Sequence, residues 1–208
     1  MKIIAISDTH GQHHELHIPY GDLLIHAGDV SKRGYKAEVL DFYDWFAAQP
    51  HPYKVMIAGN HDFYFEKTPA AEMEADMPSN IIYLNDSGIE IEGLKIWGSP
   101  IQPWFYNWAF NRERGEDIRK HWELIPADTD ILITHGPAKG ILDMTMRGEE
   151  VGCVDLLEKI LEIQPRYHIC GHIHESYGIE KQKNSTFINA SVLNLRYELV
   201  NPPIELEY

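Results

Sequence analysis

The chain has 208 residues, of which 44% are hydrophobic and 24% charged, and its 18 basic and 32 acidic side chains give a formal net charge of −14. This length and composition predict one globular domain over residues 1–208 and argue against disorder. The negative charge disfavours long nucleic acid as a partner, and no apolar run is long enough to span a membrane.

Apolar residues along the chain follow two kinds of spacing. In chain order, strands are predicted at residues 2–6, 23–26 and 54–57, a hairpin at residues 88–97, further strands at residues 131–134 and 168–170, and β-structure over residues 177–208. Helical spacing predicts helices at residues 37–48 and 151–163. Strands that alternate with helices indicate an α/β fold, and a sandwich of two mixed β-sheets flanked by helices accommodates all of these elements.

Asp, Asn and His residues cluster where the predicted strands end. The segments are Asp8-Thr9-His10, Gly28-Asp29, Gly59-Asn60-His61-Asp62, Thr134-His135-Gly136 and Gly171-His172-Ile173-His174. Loops at the carboxyl ends of strands bind ligands in α/β sheets, so we expect these side chains to share one site. Their oxygen and nitrogen donors, with no cysteine among them, suit two divalent ions that share a bridging carboxylate.

In order and spacing, these segments resemble the metallophosphoesterase (calcineurin-like) superfamily from residue 3 to about residue 175. Further segments resemble its metallophosphoesterase-domain-containing subfamily, and they include Val151-Gly152-Cys153, Phe187-Ile188-Asn189-Ala190-Ser191 and Asn201-Pro202-Pro203-Ile204. The resemblance implies a four-layer sandwich and phosphodiesterase activity on a small phosphoester, with cyclic nucleotides among the substrates.

The resemblance also implies a role for each polar residue. It assigns Asp8, His10 and His174 to one ion, Asn60, His135 and His172 to a second ion, and Asp29 to a bridge between the two. His61 would contact the phosphate and protonate the leaving oxygen, and Asp62 would orient His61. Asn60 and Arg33 would be further substrate contacts, although an arginine in a polar loop is often simply solvated.

The expected cofactors are two divalent metal ions, Mn²⁺ first, with Fe, Zn, Ni or Co as alternatives. Two such ions would activate a bridging hydroxide for in-line attack on phosphorus. The Ser/Thr protein phosphatases of this superfamily carry the signature Gly-Asp-x-x-Asp-Arg-Gly, in which Lys32 replaces the second aspartate here. Protein phosphatase activity is therefore disfavoured. The alternatives are a nucleotide pyrophosphatase, a phosphomonoesterase, and a non-catalytic metal-binding scaffold, which the complete ligand set disfavours.

Several residues outside the ligand set have two interpretations. The aromatic segment 97–110 forms a satellite core, which we favour, or stacks a nucleobase. Segment 136–152 is a mobile lid over the metals or a plain connection. His26 supports the ligands or has no role in the site, and Asn189 satisfies a turn, which we favour, or reaches the site.

The cellular setting follows from the termini and the cysteines. The first residues lack the pattern of a signal peptide, so a cytoplasmic protein is expected. Cys153 and Cys170 lie in apolar stretches, and we expect two buried free thiols rather than a disulfide. The expected partner is a small phosphoester, in particular a nucleotide, and neither a membrane nor long nucleic acid.

Overall fold

The computed structural model describes residues 1–208 and contains two large mixed β-sheets flanked by helices, which confirms the predicted architecture. The strands are β1 (Lys2–Ile6), β2 (Leu23–Ala27), β3 (Tyr53–Ile57), β4 (Ile82–Tyr83), β5 (Ser87–Ile91), β6 (Leu94–Ser99), β7 (Gln102–Pro103), β8 (Asn111–Arg112), β9 (Ile131–Thr134), β10 (Tyr167–Cys170), β11 (Gly178–Gln182), β12 (Ser185–Asn189) and β13 (Ile204–Glu207). The first sheet has the order β13-β1-β2-β3-β4, and the second has the order β11-β12-β10-β9-β6-β5.

The central strands of each sheet run parallel, so their carboxyl ends lie side by side. β1, β2 and β3 pair in parallel in the first sheet, and β6, β9, β10 and β12 do so in the second. These strands are covered on both faces. Ile3 and Ala5 of β1 belong to the apolar core shared by the two sheets, whereas Ile4 and Ile6 pack in the core that contains Phe42 of the first long helix. Burial on both faces explains why the sequences of such strands are continuous apolar runs.

The helices are α1 (Lys36–Ala47), α2 (Phe63–Lys67), α3 (Ala70–Asp76), α4 (Glu116–Trp122) and α5 (Val154–Ile163). The predicted start of α5 at Val151 is wrong by three residues. Cys153 is the N-cap and its sulfur accepts a hydrogen bond from the Leu156 N–H, while the Val151 N–H donates to Asp143 O instead of entering the helix. None of the helices has the length and apolarity required to cross a bilayer.

The C-terminal part differs from the predicted run of β-structure. β11, β12 and β13 account for part of residues 177–208, but residues 190–203 form an irregular segment that pairs only through isolated bridges, Ser7 with Ser191 and Leu193 with Leu199. This segment passes the carboxyl end of β1 and so reaches the predicted site. Cys153 and Cys170 are buried free thiols, as predicted.

Candidate metal centre

All of the predicted metal ligands come together at the carboxyl ends of the parallel strands. They extend from the loops after β1, β2, β3, β9 and β10, and are Asp8, His10, Asp29, Asn60, His135, His172 and His174. His172 is half-buried and the others are buried. Residues that are far apart in the sequence therefore share one site.

Asp29 lies between two imidazoles. Its Oδ2 is 3.3 Å from His135 Nε2 and 3.6 Å from His10 Nε2. Its Oδ1 accepts a hydrogen bond of 2.8 Å from the His61 N–H, which fixes the carboxylate in this position. Asp29 therefore lies beside one imidazole from each of the two predicted ligand sets.

Other contacts join members of each predicted ligand set, and the donor atoms of Asp8, Asp29 and His135 also lie within 4.8 Å of one another. The donor atoms of Asp8, His10 and His174 lie within 4.8 Å of one another, and Asp8 Oδ1 is 3.4 Å from His174 Nε2. In the second set, Asn60 Oδ1 is 3.0 Å from His135 Nε2, and the ring centroids of His135 and His172 are 5.1 Å apart. The first set thus forms a compact group of nitrogen and oxygen donors, and the members of the second set are linked through His135.

The three most buried ligand histidines are held in the same way, with Nδ1 against a backbone carbonyl. The carbonyls are Ser31 O for His10 at 3.1 Å, Ala27 O for His135 at 3.0 Å and Asn194 O for His174 at 3.1 Å. Because a carbonyl only accepts, Nδ1 carries a proton in each ring, and Nε2 presents a lone pair to the site when the ring is neutral. His10 Nε2 is buried and has no hydrogen-bond partner, which fits a nitrogen that binds a cation.

Several ligands have a backbone conformation that costs free energy. The φ angles of Asp8, His10, Asp29 and His172 are 57°, 42°, 59° and 69°, in the left-handed region that most non-glycine residues avoid. Such residues cost about 1–3 kcal/mol each and are concentrated at functional sites. The strained backbone turns each side chain towards the site directly after its strand.

Close packing around the ligands requires glycine at Gly171, which follows β10. A Cβ at this position would overlap Ser7 Oγ and the carboxylate oxygen Oδ2 of Asp8. The same Asp8 oxygen accepts a hydrogen bond of 2.7 Å from Ser191 Oγ and one of 3.0 Å from the His172 N–H. The loop after β10 and the segment that contains Ser191 therefore both close on the Asp8 carboxylate.

The carboxylates and imidazoles strongly perturb one another. Burial alone would raise the pKa of Asp8, but hydrogen bonding and charge from His174 hold it well below its usual value. Burial likewise opposes protonation of His135 and His174, yet the neighbouring Asp29 and Asp8 carboxylates raise the pKa of each imidazole to about 9. These carboxylates thus attract positive charge, and bound divalent cations would displace the two protons, since a ligating imidazole must be neutral.

His61 lies next to the ligands and is anchored on two sides. Its Nδ1 is 2.7 Å from Lys32 O, and its ring stacks on Trp108 with a centroid distance of 4.2 Å and an interplanar angle of 26°. The carbonyl fixes the proton of Nδ1, as it does for the ligand histidines. Nε2 has no hydrogen bond within the chain, and the ring lines the cavity over the site.

The predicted role of Asp62 beside His61 is not what the structure shows. The Asp62 carboxylate accepts hydrogen bonds from the N–H groups of Gly59, Val30 and Ser31 at 2.8, 3.2 and 3.0 Å, and from Ser31 Oγ at 2.6 Å. Burial, and then the charge of Asp29, raise the pKa of Asp62 to about 6. The acceptor positions of Asp62 are thus occupied, and its carboxylate connects the loop after β2 to the loop after β3. The His61 ring is held by Lys32 O instead.

A cavity of about 540 Å³ lies over the centre. Its walls include His10, Asp29, Asn60, His61, His172 and His174, together with Phe105, Tyr106, Trp108 and Tyr197. Arg33 is not among them. It is exposed and lines an adjoining depression with Lys32, which meets the first cavity at His10, His61 and Tyr197. The predicted substrate contact at Arg33 therefore lies at the periphery of the site.

The aromatic segment 97–110 packs only in part. Phe110 is 4% exposed and belongs to the core, but Trp104, Phe105 and Tyr106 are 54%, 46% and 74% exposed. The segment is attached to the centre because the Ala109 N–H donates to the backbone oxygen of a ligand, Asn60, at 3.1 Å. The packing interpretation thus holds for one end of the segment, while its middle forms a wall of the cavity.

Two buried polar residues support the ligand loops. His26 Nδ1 accepts from the Gly28 N–H at 3.3 Å, so its Nε2 carries the proton and contacts Thr9 Oγ1, between two ligands, at 3.0 Å. Asn189 donates to Ile173 O at 2.8 Å and accepts from the Ser191 N–H at 3.1 Å. Asn189 therefore satisfies backbone turns, as favoured from the sequence, and His26 supports the turn after β1.

Sequence reasoning missed the contribution of residues 190–203. Ser191 binds Asp8, Asn194 O orients His174, and the Tyr197 ring lies with its centroid 5.0 Å from that of His10. The sequence pattern predicts β-structure over this segment. Pro202 and Pro203 were the available signal against a continuous strand, because proline cannot donate to a ladder.

Comparisons with known proteins agree with the geometry. A family model described as calcineurin-like phosphoesterase matches residues 1–176. Metallophosphoesterase domain-containing protein 1 from Homo sapiens is 41% identical over 229 aligned residues, which cover 99% of this chain and 70% of that protein. A UPF0046 protein from Caenorhabditis elegans is 38% identical over 216 residues, covering 98% of this chain and 74% of that protein.

Among solved structures, phosphopantetheinyl hydrolase from Mycobacterium tuberculosis superimposes with a TM-score of 0.67 at 15% identity, over 94% of this chain and 90% of that chain. At this identity the likeness concerns the fold alone. The family model and the curated relatives extend over most of the chain, and the ligand residues lie within the matched region. The chain belongs to the calcineurin-like metallophosphoesterase family.

Proposed function

We propose that this metal-dependent phosphoesterase is a phosphodiesterase that hydrolyses small phosphodiesters, cyclic nucleotides among them. It would use two divalent metal ions, and two Mn²⁺ ions are expected. The observation that carries the proposal is the placement of Asp29, whose Oδ2 approaches Nε2 of both His10 and His135. A carboxylate between imidazoles of two ligand sets favours a pair of ions over a single ion.

The residues around the centre suggest how the chain would act on a phosphodiester. Divalent ions held here would supply an activated water molecule and neutralise charge on the phosphate. Asn60 and His61 line the cavity and would contact the phosphate oxygens. His61, with Nδ1 fixed by Lys32 O, would donate a proton from Nε2 to the departing oxygen.

The cavity favours a nucleotide-sized substrate. Its volume of about 540 Å³ is within the usual range for small-molecule sites, and the exposed rings of Phe105 and Tyr106 in its wall can cover a planar base. A nucleotide pyrophosphatase or phosphomonoesterase would use the same ligands, so only the choice of substrate separates these alternatives.

A substrate panel tests the choice. The metal-free protein and the protein with added Mn²⁺ are assayed with bis(4-nitrophenyl) phosphate, with 2′,3′- and 3′,5′-cyclic nucleotides, with a phosphomonoester and with a dinucleotide pyrophosphate. We expect hydrolysis that requires Mn²⁺ and is fastest for the diesters. A clear preference for the pyrophosphate bond would reject the diesterase and leave the metal-dependent hydrolysis in place.

The pair of ions is tested by Asp29→Asn, because one side chain would serve both ions. We expect both equivalents of Mn²⁺ to be bound more weakly, as measured by elemental analysis after equilibrium dialysis. Asp44→Asn, at an exposed position of α1, is the matched control and should bind as much metal as the wild type. Undiminished loading of both ions in Asp29→Asn would rule out the shared ligand.

A further inference from the structure

A further group of metal-ligand side chains lies outside the cavity over the candidate metal centre. His13 and His14 belong to a short 3₁₀ helix, His13–Glu15, in the connection after β1, and Asp41 lies in α1. None of the three lines that cavity. His13 Nε2 is 3.1 Å from Asp41 Oδ2, and His14 Nε2 is 3.1 Å from Oδ1 and 3.2 Å from Oδ2 of the same carboxylate. Two imidazoles from neighbouring positions therefore face one carboxylate.

The spacing of these donor atoms matches a tetrahedral ion. One ligand atom from each of His13, His14 and Asp41 lies within 4.8 Å of the other two. A tetrahedral ion with bonds of about 2.0–2.1 Å to nitrogen and oxygen holds its ligand atoms roughly 3.3 Å apart. The nitrogen–oxygen distances of 3.1 and 3.2 Å are close to this value. Since a carboxylate only accepts, each Nε2 donates a proton to Asp41, and one dication can replace these two protons with little movement of the side chains.

One of the three ligands is fixed and the other two are accessible. His13 is 0% exposed, and its ring centroid is 5.5 Å from that of Phe42 and 5.1 Å from that of Trp45, both in α1. Burial lowers the pKa of His13 to about 4, so the ring is neutral at pH 7, as a ligating imidazole must be. The side chains of His14 and Asp41 are 58% and 56% exposed, so a dissolved ion can reach them.

The ligand types indicate which ion fits. Two imidazoles and one carboxylate, with a fourth position for water, are a ligand set that zinc accepts, whereas Mg²⁺ and Mn²⁺ prefer oxygen ligands. An ion on Nε2 of His13 leaves the ring proton on Nδ1, which is buried and has no hydrogen-bond partner. A missing acceptor of this kind weakens metal binding by about 10- to 100-fold. We therefore expect a Kd for Zn²⁺ on the order of 1 µM, weaker than that of closed four-ligand zinc sites.

We infer that His13, His14 and Asp41 form a separate metal site that binds one Zn²⁺ ion and ties the connection after β1 to α1. This connection begins with the predicted ligands Asp8 and His10, and the Gln12 N–H donates to Thr9 O at 2.8 Å. The ion would therefore brace the segment from which two ligands of the main centre extend. The inference does not depend on the proposed diesterase function, because none of the three residues lines the cavity of that site.

Zinc content tests the inference. Wild type and His14→Ala, both saturated with Mn²⁺, are dialysed against about 10 µM free Zn²⁺, roughly ten times the expected Kd, and bound zinc is counted by elemental analysis. We expect the wild type to hold one equivalent more than His14→Ala, whatever amount the main centre takes up in both. Asp41→Ala should lose the same equivalent. His17→Ala, at another exposed histidine, is the matched control and should lose none.

Stability and diffraction locate the ion. At free Zn²⁺ about 100-fold above the Kd, the Tm of the wild type should rise by about 5–10 °C more than that of His14→Ala. Crystals grown with Zn²⁺ should show an anomalous peak about 2.0–2.1 Å from a donor atom of each of His13, His14 and Asp41. Equal zinc content and equal Tm increases in wild type and both ligand variants, or an additional zinc peak away from these donors, would overturn the inference.

Discussion

Asp62→Ala separates a supporting role of the buried carboxylate from a catalytic one. The substitution removes the acceptor of the Gly59, Val30 and Ser31 N–H groups and of Ser31 Oγ. Hydrogen bonds to a charged acceptor contribute about 1.5–3 kcal/mol each, and buried donors left unpaired cost about as much. Part of this loss is offset because the buried carboxylate, whose pKa is raised to about 6, is no longer present.

We therefore expect the free energy of unfolding to fall by about 3 kcal/mol, which lowers Tm by about 6–12 °C for a chain of this length. Thermal and urea unfolding measure the change. Asp62→Asn, which keeps one acceptor oxygen, should lose about half as much. An unfolding free energy within about 1 kcal/mol of the wild type, together with a rate loss confined to poor leaving groups, would refute this reasoning and favour a role for Asp62 in the reaction.

Four further outcomes are expected. Gly171→Ala should weaken Mn²⁺ binding by about 10- to 100-fold in calorimetric titration, because the added methyl group would displace the Asp8 carboxylate. Trp108→Leu should slow the hydrolysis of diesters with poor leaving groups more than that of nitrophenyl esters, because the ring stack at 4.2 Å positions His61. Trp108→Phe should retain most of the hydrolysis rate. Burial lowers the pKa of His168 to about 3, so the free energy of unfolding of the wild type should fall as the pH is lowered from about 6.5 to about 3. Urea unfolding at pH 7 and pH 5 should show a smaller loss of unfolding free energy for His168→Leu than for the wild type. Chelation should abolish binding of a non-hydrolysable diester analogue as well as turnover, as measured by calorimetry.

The central strands and the convergence of polar side chains on one site could be predicted because each leaves a local signal. A parallel strand that is covered on both faces is a continuous apolar run, and the polar residues of the site follow such runs directly, as Asp8 follows β1 and His135 follows β9. The strained backbone at Asp8 and His172 was not predictable, because Asp and His adopt the left-handed region only when the surrounding structure compensates for its cost.

The residues that position the ligands left no such signal. Ser191 reaches Asp8 across 183 residues of sequence, and no periodicity relates the two. The contacts of Asp62 were not predictable for the same reason. Its position next to His61 suggests a shared role, but the chain turns there and directs the Asp62 carboxylate to the N–H groups of Val30 and Ser31. Spacing identifies side chains that can share a face, but it does not identify the donors that a buried carboxylate meets.

The acidic charge of the chain bears on how it attracts a substrate. A net charge of −14 repels a phosphodiester anion, and the buried carboxylates of Asp8 and Asp29 add negative charge at the centre itself. Lys32 and Arg33 lie in the adjoining depression and are exposed, so solvent and salt screen their charge. Divalent ions at the predicted ligands would be the largest local charges and would reverse the sign of the field where a phosphate would bind. The ions would therefore govern substrate affinity as well as chemistry, and any contribution of Arg33 to recognition would be secondary.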